Sequence, residues 1–259
     1  MKPIRIVLCV SLFLAFCLTA ASEPPADTVT QVSTIDALLA GVYGGHLSCG
    51  ELLGHGDLGI GTFRDLDGEM VVSEGRVYQV RADGHVYEPS LELTTPFASV
   101  VRFLPDRSQE IEEPTDLDSL KRVVDKAASN QNLFCAIRIK GLFSSMKTRS
   151  VPAQHKPYPP LAEVTERQPV FEMADVTGTI VGFRSPPYVK GINVPGYHLH
   201  FLSDDRTCGG HILDFTLETG TVEIDVCNRL FMILPVDAAS FGEVDLSQDR
   251  TQDLEKAEK

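Results

Sequence analysis

The tightest constraint on this chain is the stretch 196–215, Gly-Tyr-His-Leu-His-Phe-Leu-Ser-Asp-Asp-Arg-Thr-Cys-Gly-Gly-His-Ile-Leu-Asp-Phe. Three of the seven histidines fall within it. Tyr197, Leu199 and Phe201 alternate with His198 and His200, the period of a half-buried strand, so both imidazoles share one face. The polar run 203–207 reads as a hairpin turn. With Asp205 and Arg206 as its central residues, His200 lies directly opposite His211, and His198 one step along the same face. Opposed Cβ atoms sit roughly 5 Å apart and diagonal ones roughly 7 Å, close enough for three imidazole nitrogens to reach one ion at about 2.0–2.1 Å. A slip of one residue would turn His211 away, so the reading depends on register. The alternative is an ordinary hairpin with exposed or core histidines. Three neutral nitrogen ligands leave the ion its full charge and an open position, as in catalytic zinc sites, although imidazole also suits iron, copper, nickel or cobalt. Cys208 is a weaker candidate ligand, since it sits in the turn and three histidines suffice.

The start of the chain has a different job. Lys2 and Arg5 precede an apolar run over 6–21, broken only by Ser11 and Thr19, with small residues at Thr19, Ala20 and Ala21 before Ser-Glu-Pro-Pro. This pattern predicts a secretory signal peptide over 1–21, cleaved near Ala21, and an exported protein. A sixteen-residue run is short for a bilayer span, and no second one follows. Loss of Lys2 and Arg5 takes the net charge from −13 to −15, which argues against nucleic acid or an anionic membrane as partner. Cys9 and Cys17 leave with the leader. Cys49, Cys135, Cys208 and Cys227 remain, too widely spaced for a disulfide framework, and Cys135 and Cys227 alternate with apolar neighbours like core residues.

The chain is 43% hydrophobic and 23% charged, the balance of a globular protein. Residues 22–32 read as a flexible lead. Ser33 is expected to cap a short helix carrying Ile35, Leu38, Leu39 and Val42, and a second capped turn runs over 48–53. A meander follows, with strands near 58–63, 69–73 and 76–81 and Gly-containing turns between them. Further strands are expected at 99–104 and 134–139, with a helix carrying Leu117, Leu120, Val123, Val124 and Ala127 between them. Gly141 is read as a turn into 142–151. Strands at 176–183, 197–202, 210–217, 221–226 and 230–234, with a turn at Thr219-Gly220, form a second group. The tail 248–259 is read as helical. The fold class is α+β, with an N-terminal sheet domain bearing helices over 33–174. A C-terminal antiparallel sheet or small barrel over 175–259 carries the histidines.

The segment from Gly196 to His211 resembles the metal-binding signature of the acetolactate decarboxylases. So do His-Gly-Asp-Leu-Gly-Ile-Gly-Thr-Phe at 55–63, Leu-Asp-Gly-Glu-Met at 66–70, Ala-Ile-Arg-Ile at 136–139 with Lys-Thr-Arg at 147–149, and Gly-Thr-Ile-Val-Gly-Phe at 178–183, all in the family's order. The resemblance implies a zinc-dependent conversion of 2-acetolactate to acetoin and carbon dioxide through a metal-stabilised enediolate, by a protein that forms a homodimer. It implies His198, His200 and His211 as metal ligands, with Glu69, Arg149 and a C-terminal carboxylate completing the site and Thr62 beside the substrate. Glu258 is favoured over Glu255 for the carboxylate. Two other readings stand beside it: a cupin-like metal oxygenase or isomerase, and a secreted metal-binding protein without catalysis. A cupin pattern wants Glu four or five residues after the second histidine, where this chain has Asp204 and Asp205 in the turn.

Overall fold

The computed structural model describes residues 25–236 and 239–258, so the predicted leader at 1–21 lies outside the described residues. In chain order the first half contains β1 (Thr28–Val32), α1 (Ile35–Leu39), β2 (Leu47–Ser48), α2 (Cys49–Leu53), β3 (Leu58–Thr62), β4 (Glu69–Ser73), β5 (Arg76–Val80), β6 (Val86–Tyr87), β7 (Thr94–Thr95), β8 (Ala98–Val101), β9 (Arg107–Ile111), β10 (Thr115–Asp116) and α3 (Leu117–Ala127). The second half contains β11 (Phe134–Arg149), α4 (Leu161–Thr165), β12 (Val170–Ser185), β13 (Gly196–Ser203), β14 (Gly209–Cys227), β15 (Arg229–Ile233), α5 (Ala239–Glu243) and α6 (Thr251–Ala257). The described residues are thus mostly β, and among them only α3 reaches three turns.

The strands make two large sheets. One has the order β15-β1-β8-β3-β4-β5-β6. In the other, β14, β11, β12 and β13 pair in succession, and β13 pairs back onto the start of β14, so these four close on themselves. β9 and β10 also pair with β14. A shared core of Leu58, Ile60, Val101, Phe134, Val181 and Leu202 joins the sheets, and β4 lies against β13 and β14. Burying this apolar face is the main stabilising term, at about 25 cal/mol per Å².

Several expectations are corrected. The stretch 22–32 is not a flexible lead throughout, because Thr28–Val32 is a wholly buried strand. Its polar residues misled the reading. Gln31 donates from Nε2 to the carbonyls of Ser33 and Ile192 at 2.8 and 2.6 Å, satisfying a polar group inside the core. Thr34, not Ser33, caps α1, its side chain accepting from the Ala37 N–H at 3.2 Å. Gly141 and Thr219-Gly220 are not turns. β11 and β14 run through them, and Gly178, Gly141 and Gly220 stand side by side across three strands. A Cβ on Gly141 would come within 2.3 Å of the Thr219 carbonyl oxygen, so the glycine serves close strand approach at a bend. A boundary at 174/175 does not match the sheets either. β11 belongs with the histidine strands, while β15 pairs parallel with β1 at the edge of the first sheet. Such pairings, about two hundred residues apart, leave no local mark in the sequence.

Candidate active site

Register delivers the histidines. β13 and β14 pair His200 with His211, Phe201 with Gly210 and Leu202 with Gly209, as the hairpin reading requires. The three ring centroids are 5.0–5.4 Å apart, and one ring nitrogen from each lies within 4.8 Å of the others. Among the described residues they are the group of His, Cys, Asp or Glu side chains so gathered. Cys208 is not part of it, and none of Cys49, Cys135, Cys208 and Cys227 is in a disulfide.

The protonation states follow from packing. His200 Nδ1 is 2.8 Å from the Met70 carbonyl oxygen, which can only accept, so the ring carries its proton there. That leaves His200 Nε2 as a bare lone pair, 3.2 Å from His198 Nε2. Burial first, and the Arg149 cation second, hold His198 down at about 3. Burial also keeps His200 and His211 well below the usual imidazole range. Three neutral imidazoles with converging lone pairs suit a divalent transition metal, and His211 Nδ1, buried without a partner, adds a nitrogen awaiting an acceptor.

The groups expected around the histidines arrive from four separate elements. Arg149, at the end of β11, pairs directly with His211 of β14, so Arg149, His211 and His200 form one row across three strands. Gly210 makes that row possible. Its φ is +126°, and a Cβ there would meet the Arg149 carbonyl oxygen at 2.4 Å. Glu69 opens β4 opposite Thr62 of β3. Its Oε1 accepts from Arg149 Nη1 at 3.1 Å, and its Oε2 lies 3.6 Å from His200 Nε2. Glu258 follows α6, with Oε2 3.8 Å from His211 Nε2. Arg149 Nη2 donates to the Ala257 carbonyl at 2.7 Å, tying the tail to the site. Glu255 is exposed one turn earlier on α6.

Thr62 lines the same cavity, but its hydroxyl donates to the Gly68 carbonyl at 2.7 Å. It therefore braces the turn that presents Glu69. Sequence reasoning missed the apolar wall made by Ile35, Leu38, Phe97 and Leu161: helical spacing marked Ile35 and Leu38 only as core, and Phe97 and Leu161 fall outside the elements it predicted. Asp204 and Asp205 remain exposed in the turn, where Asp205 Oδ1 accepts from Ser203 and Thr207. Neither supplies the carboxylate of a cupin pattern.

Burial pushes the Glu69 carboxyl up to about 7, with Arg149 opposing and Glu258 adding to the rise. Burial raises Glu258 to about 7 as well, again opposed by Arg149. Near neutral pH this pair therefore holds a carboxylic acid next to a fixed guanidinium. Groups so arranged can stabilise a developing negative charge and supply a proton.

Comparison with known proteins narrows the class. The family described as alpha-acetolactate decarboxylase matches residues 29–248. An alpha-acetolactate decarboxylase of Methanosarcina mazei is 48% identical over 92% of this chain and 82% of its own length. One from Methylococcus capsulatus is 45% identical over 89% of this chain and 88% of its own. The crystal structure of alpha-acetolactate decarboxylase from Bacillus subtilis strain 168 superposes with a TM-score of 0.87 at 40% identity, covering 89% of this chain and 99% of that one. The chain belongs to the alpha-acetolactate decarboxylase family and is an enzyme of the carboxy-lyase class.

Proposed function

We propose that this protein converts 2-acetolactate to acetoin and carbon dioxide with a zinc ion held by His198, His200 and His211. The observation that carries this reading is the gathering of those three neutral imidazoles, two of which, His198 and His211, line one cavity together with Glu69, Arg149 and Glu258. When bound, the ion supplies a Lewis acid for the substrate's hydroxyl and keto oxygens.

The chain's own residues do the rest. Loss of carbon dioxide breaks the bond between the carboxyl carbon and the hydroxyl-bearing carbon, leaving the electron pair on the latter. Those electrons delocalise into the adjacent ketone as an enediolate, the costly species. Arg149 is always charged, and its Nε is buried without an acceptor. Of its five N–H donors, one on Nη1 and one on Nη2 are tied to Glu69 and Ala257, so further donors remain for the substrate carboxylate. The cation also balances the negative charge that builds on the substrate. Glu69 or Glu258, in its acid form, then delivers a proton to the former carboxyl-bearing carbon, and acetoin results. Buried walls keep bulk water from competing for that step.

The proposal includes export after cleavage near Ala21, and a mature homodimer. The dimer is supported by Phe231, Leu234 and Val236, which are 50, 46 and 93% exposed along and just beyond the outer strand β15. Purified protein given racemic acetolactate should form acetoin, lose that activity to a strong chelator, and recover it with zinc at one metal per chain. No acetoin from metal-replete protein would defeat the reading.

A further inference from the structure

Two side chains in the wall of the inner cavity keep more exposure than the rest. Of the thirteen residues lining that space of about 40 Å³, eleven are buried, and His198 and Glu258 keep partial exposure. A second hollow, of about 260 Å³, lies on the other side. It is walled by Leu117 and Lys121 of α3, by Tyr197 of β13, and by Ile212 and Leu213 of β14. The two spaces share His211 and Glu258 and no other residue. His211 is held by its strand register with His200 and Arg149. The Glu258 side chain, 20% exposed at the end of α6, is the more exposed part of the partition.

We propose that this outer hollow is the route by which the anionic substrate reaches the centre, with Lys121 as the cation that gathers its carboxylate at the mouth. The proposal rests on the acetolactate reading for the identity of that anion. A protein with a net charge of −13, or −15 without Lys2 and Arg5, repels such a ligand from most of its surface, so one cation beside the way in has a large effect on encounter. Lys121 is the cation lining the hollow. Its Nζ lies 3.1 Å from Asp118, one turn back on the same helix, and the two side chains are 35 and 78% exposed. An exposed helical pair of this kind is weak, so the ammonium can exchange Asp118 for an incoming carboxylate. Asp125 does not compete. Its Oδ1 is occupied by the Tyr197 hydroxyl at 2.6 Å and by Arg184 Nη1 at 3.0 Å. Lys121 touches none of the reacting groups and is a recruiting residue, not a catalytic one.

The test compares Lys121→Glu and Asp118→Asn with the unaltered enzyme across ionic strength. At low salt Lys121→Glu should lower kcat/KM about tenfold with kcat within about twofold, and Asp118→Asn should raise it. Both differences should close in about 0.5 M salt, where screening acts within a few ångströms. An unchanged kcat/KM at low salt, or a loss of the same size at every salt concentration, would overturn the proposal. A second arm needs no turnover. The chain has no tryptophan, so Leu213→Trp, or Leu117→Trp if the first does not fold, places one indole in the hollow. Iodide should quench it about threefold less once Lys121→Glu is added, with quenching by neutral acrylamide unchanged. Equal iodide quenching would overturn the role of Lys121. If the unaltered protein formed no acetoin, the functional reading would fall while the quenching comparison still decided the hollow.

Discussion

Arg149 shows how much one buried residue can hold together. Its guanidinium touches Glu69 from β4 and the Ala257 carbonyl from the tail, while its backbone pairs with His211. Lysine has one point of attachment and cannot span both partners. Arg149→Lys should cut kcat/KM by about a hundredfold and make residues beyond 250 more sensitive to protease, which steady-state kinetics and limited proteolysis would show. Glu69→Gln and Glu258→Gln should each lower kcat by about 10²–10⁴, while Glu255→Gln should leave it near normal. Near-normal turnover in either of the first two would remove that residue from the mechanism. Asp225 is a residue the mechanism does not use. It is fully buried, its Oδ1 has no partner, and its Oδ2 accepts from the Leu104 N–H at 2.9 Å. Burial, with Asp106, Asp27 and Asp57 adding to it, raises this carboxyl to about 6. The folded state therefore prefers the neutral acid, and stability falls as pH rises from the ordinary aspartate value of about 4 to about 6, then levels off. Asp225→Asn should abolish that fall, gaining on the order of 1–3 kcal/mol at pH 7 relative to its effect at pH 4, measured by urea unfolding at both. A constant difference across pH would refute this account.

At the scale of elements, the site depends on strands that continue where the sequence suggests they stop. β11 and β14 pass through Gly141 and Gly220, and the pairing shifts register between Leu142 and Phe143, between Phe143 and Ser145, and between Lys147 and Thr148. The last shift precedes Arg149 and sets which face it occupies. Gly141→Val would press a side chain against the Thr219 carbonyl and should destabilise the fold by several kcal/mol, lowering Tm by about 10 °C or more. The hairpin was legible because its signal is local: alternation fixes the face, and a short turn fixes the partner. β3, β4 and α3 were legible for the same reason, as apolar period and turn or cap chemistry coincide there. β1 was not, because Thr28, Thr30 and Gln31 look solvent-facing until their buried partners are known. The helical tail was legible by composition, but not its destination. Leu254 and Ala257 pack with Ile35, Leu38 and Leu161 from distant parts of the chain.

For the whole molecule, the sheets and the tail together make one centre. Metal loading should stabilise the folded state by RT ln(1 + [L]/Kd), so stripping the ion with chelator should lower Tm, and zinc should restore it. An unchanged Tm would argue that the three imidazoles hold no ion. The sequence by itself determined the histidine hairpin, its register and the family, because a strand's period and a motif's order are properties of neighbours along the chain. Only the tertiary structure decided that Arg149 stands beside His211, that Glu69 and Glu258 approach the imidazoles from opposite ends of the chain, and that Thr62 braces the turn before Glu69. It also decided the protonation of these groups. A carboxyl pushed up to about 7 and an imidazole held down at about 3 are consequences of lost water and nearby charge. Those exist only once the two sheets have closed over the site.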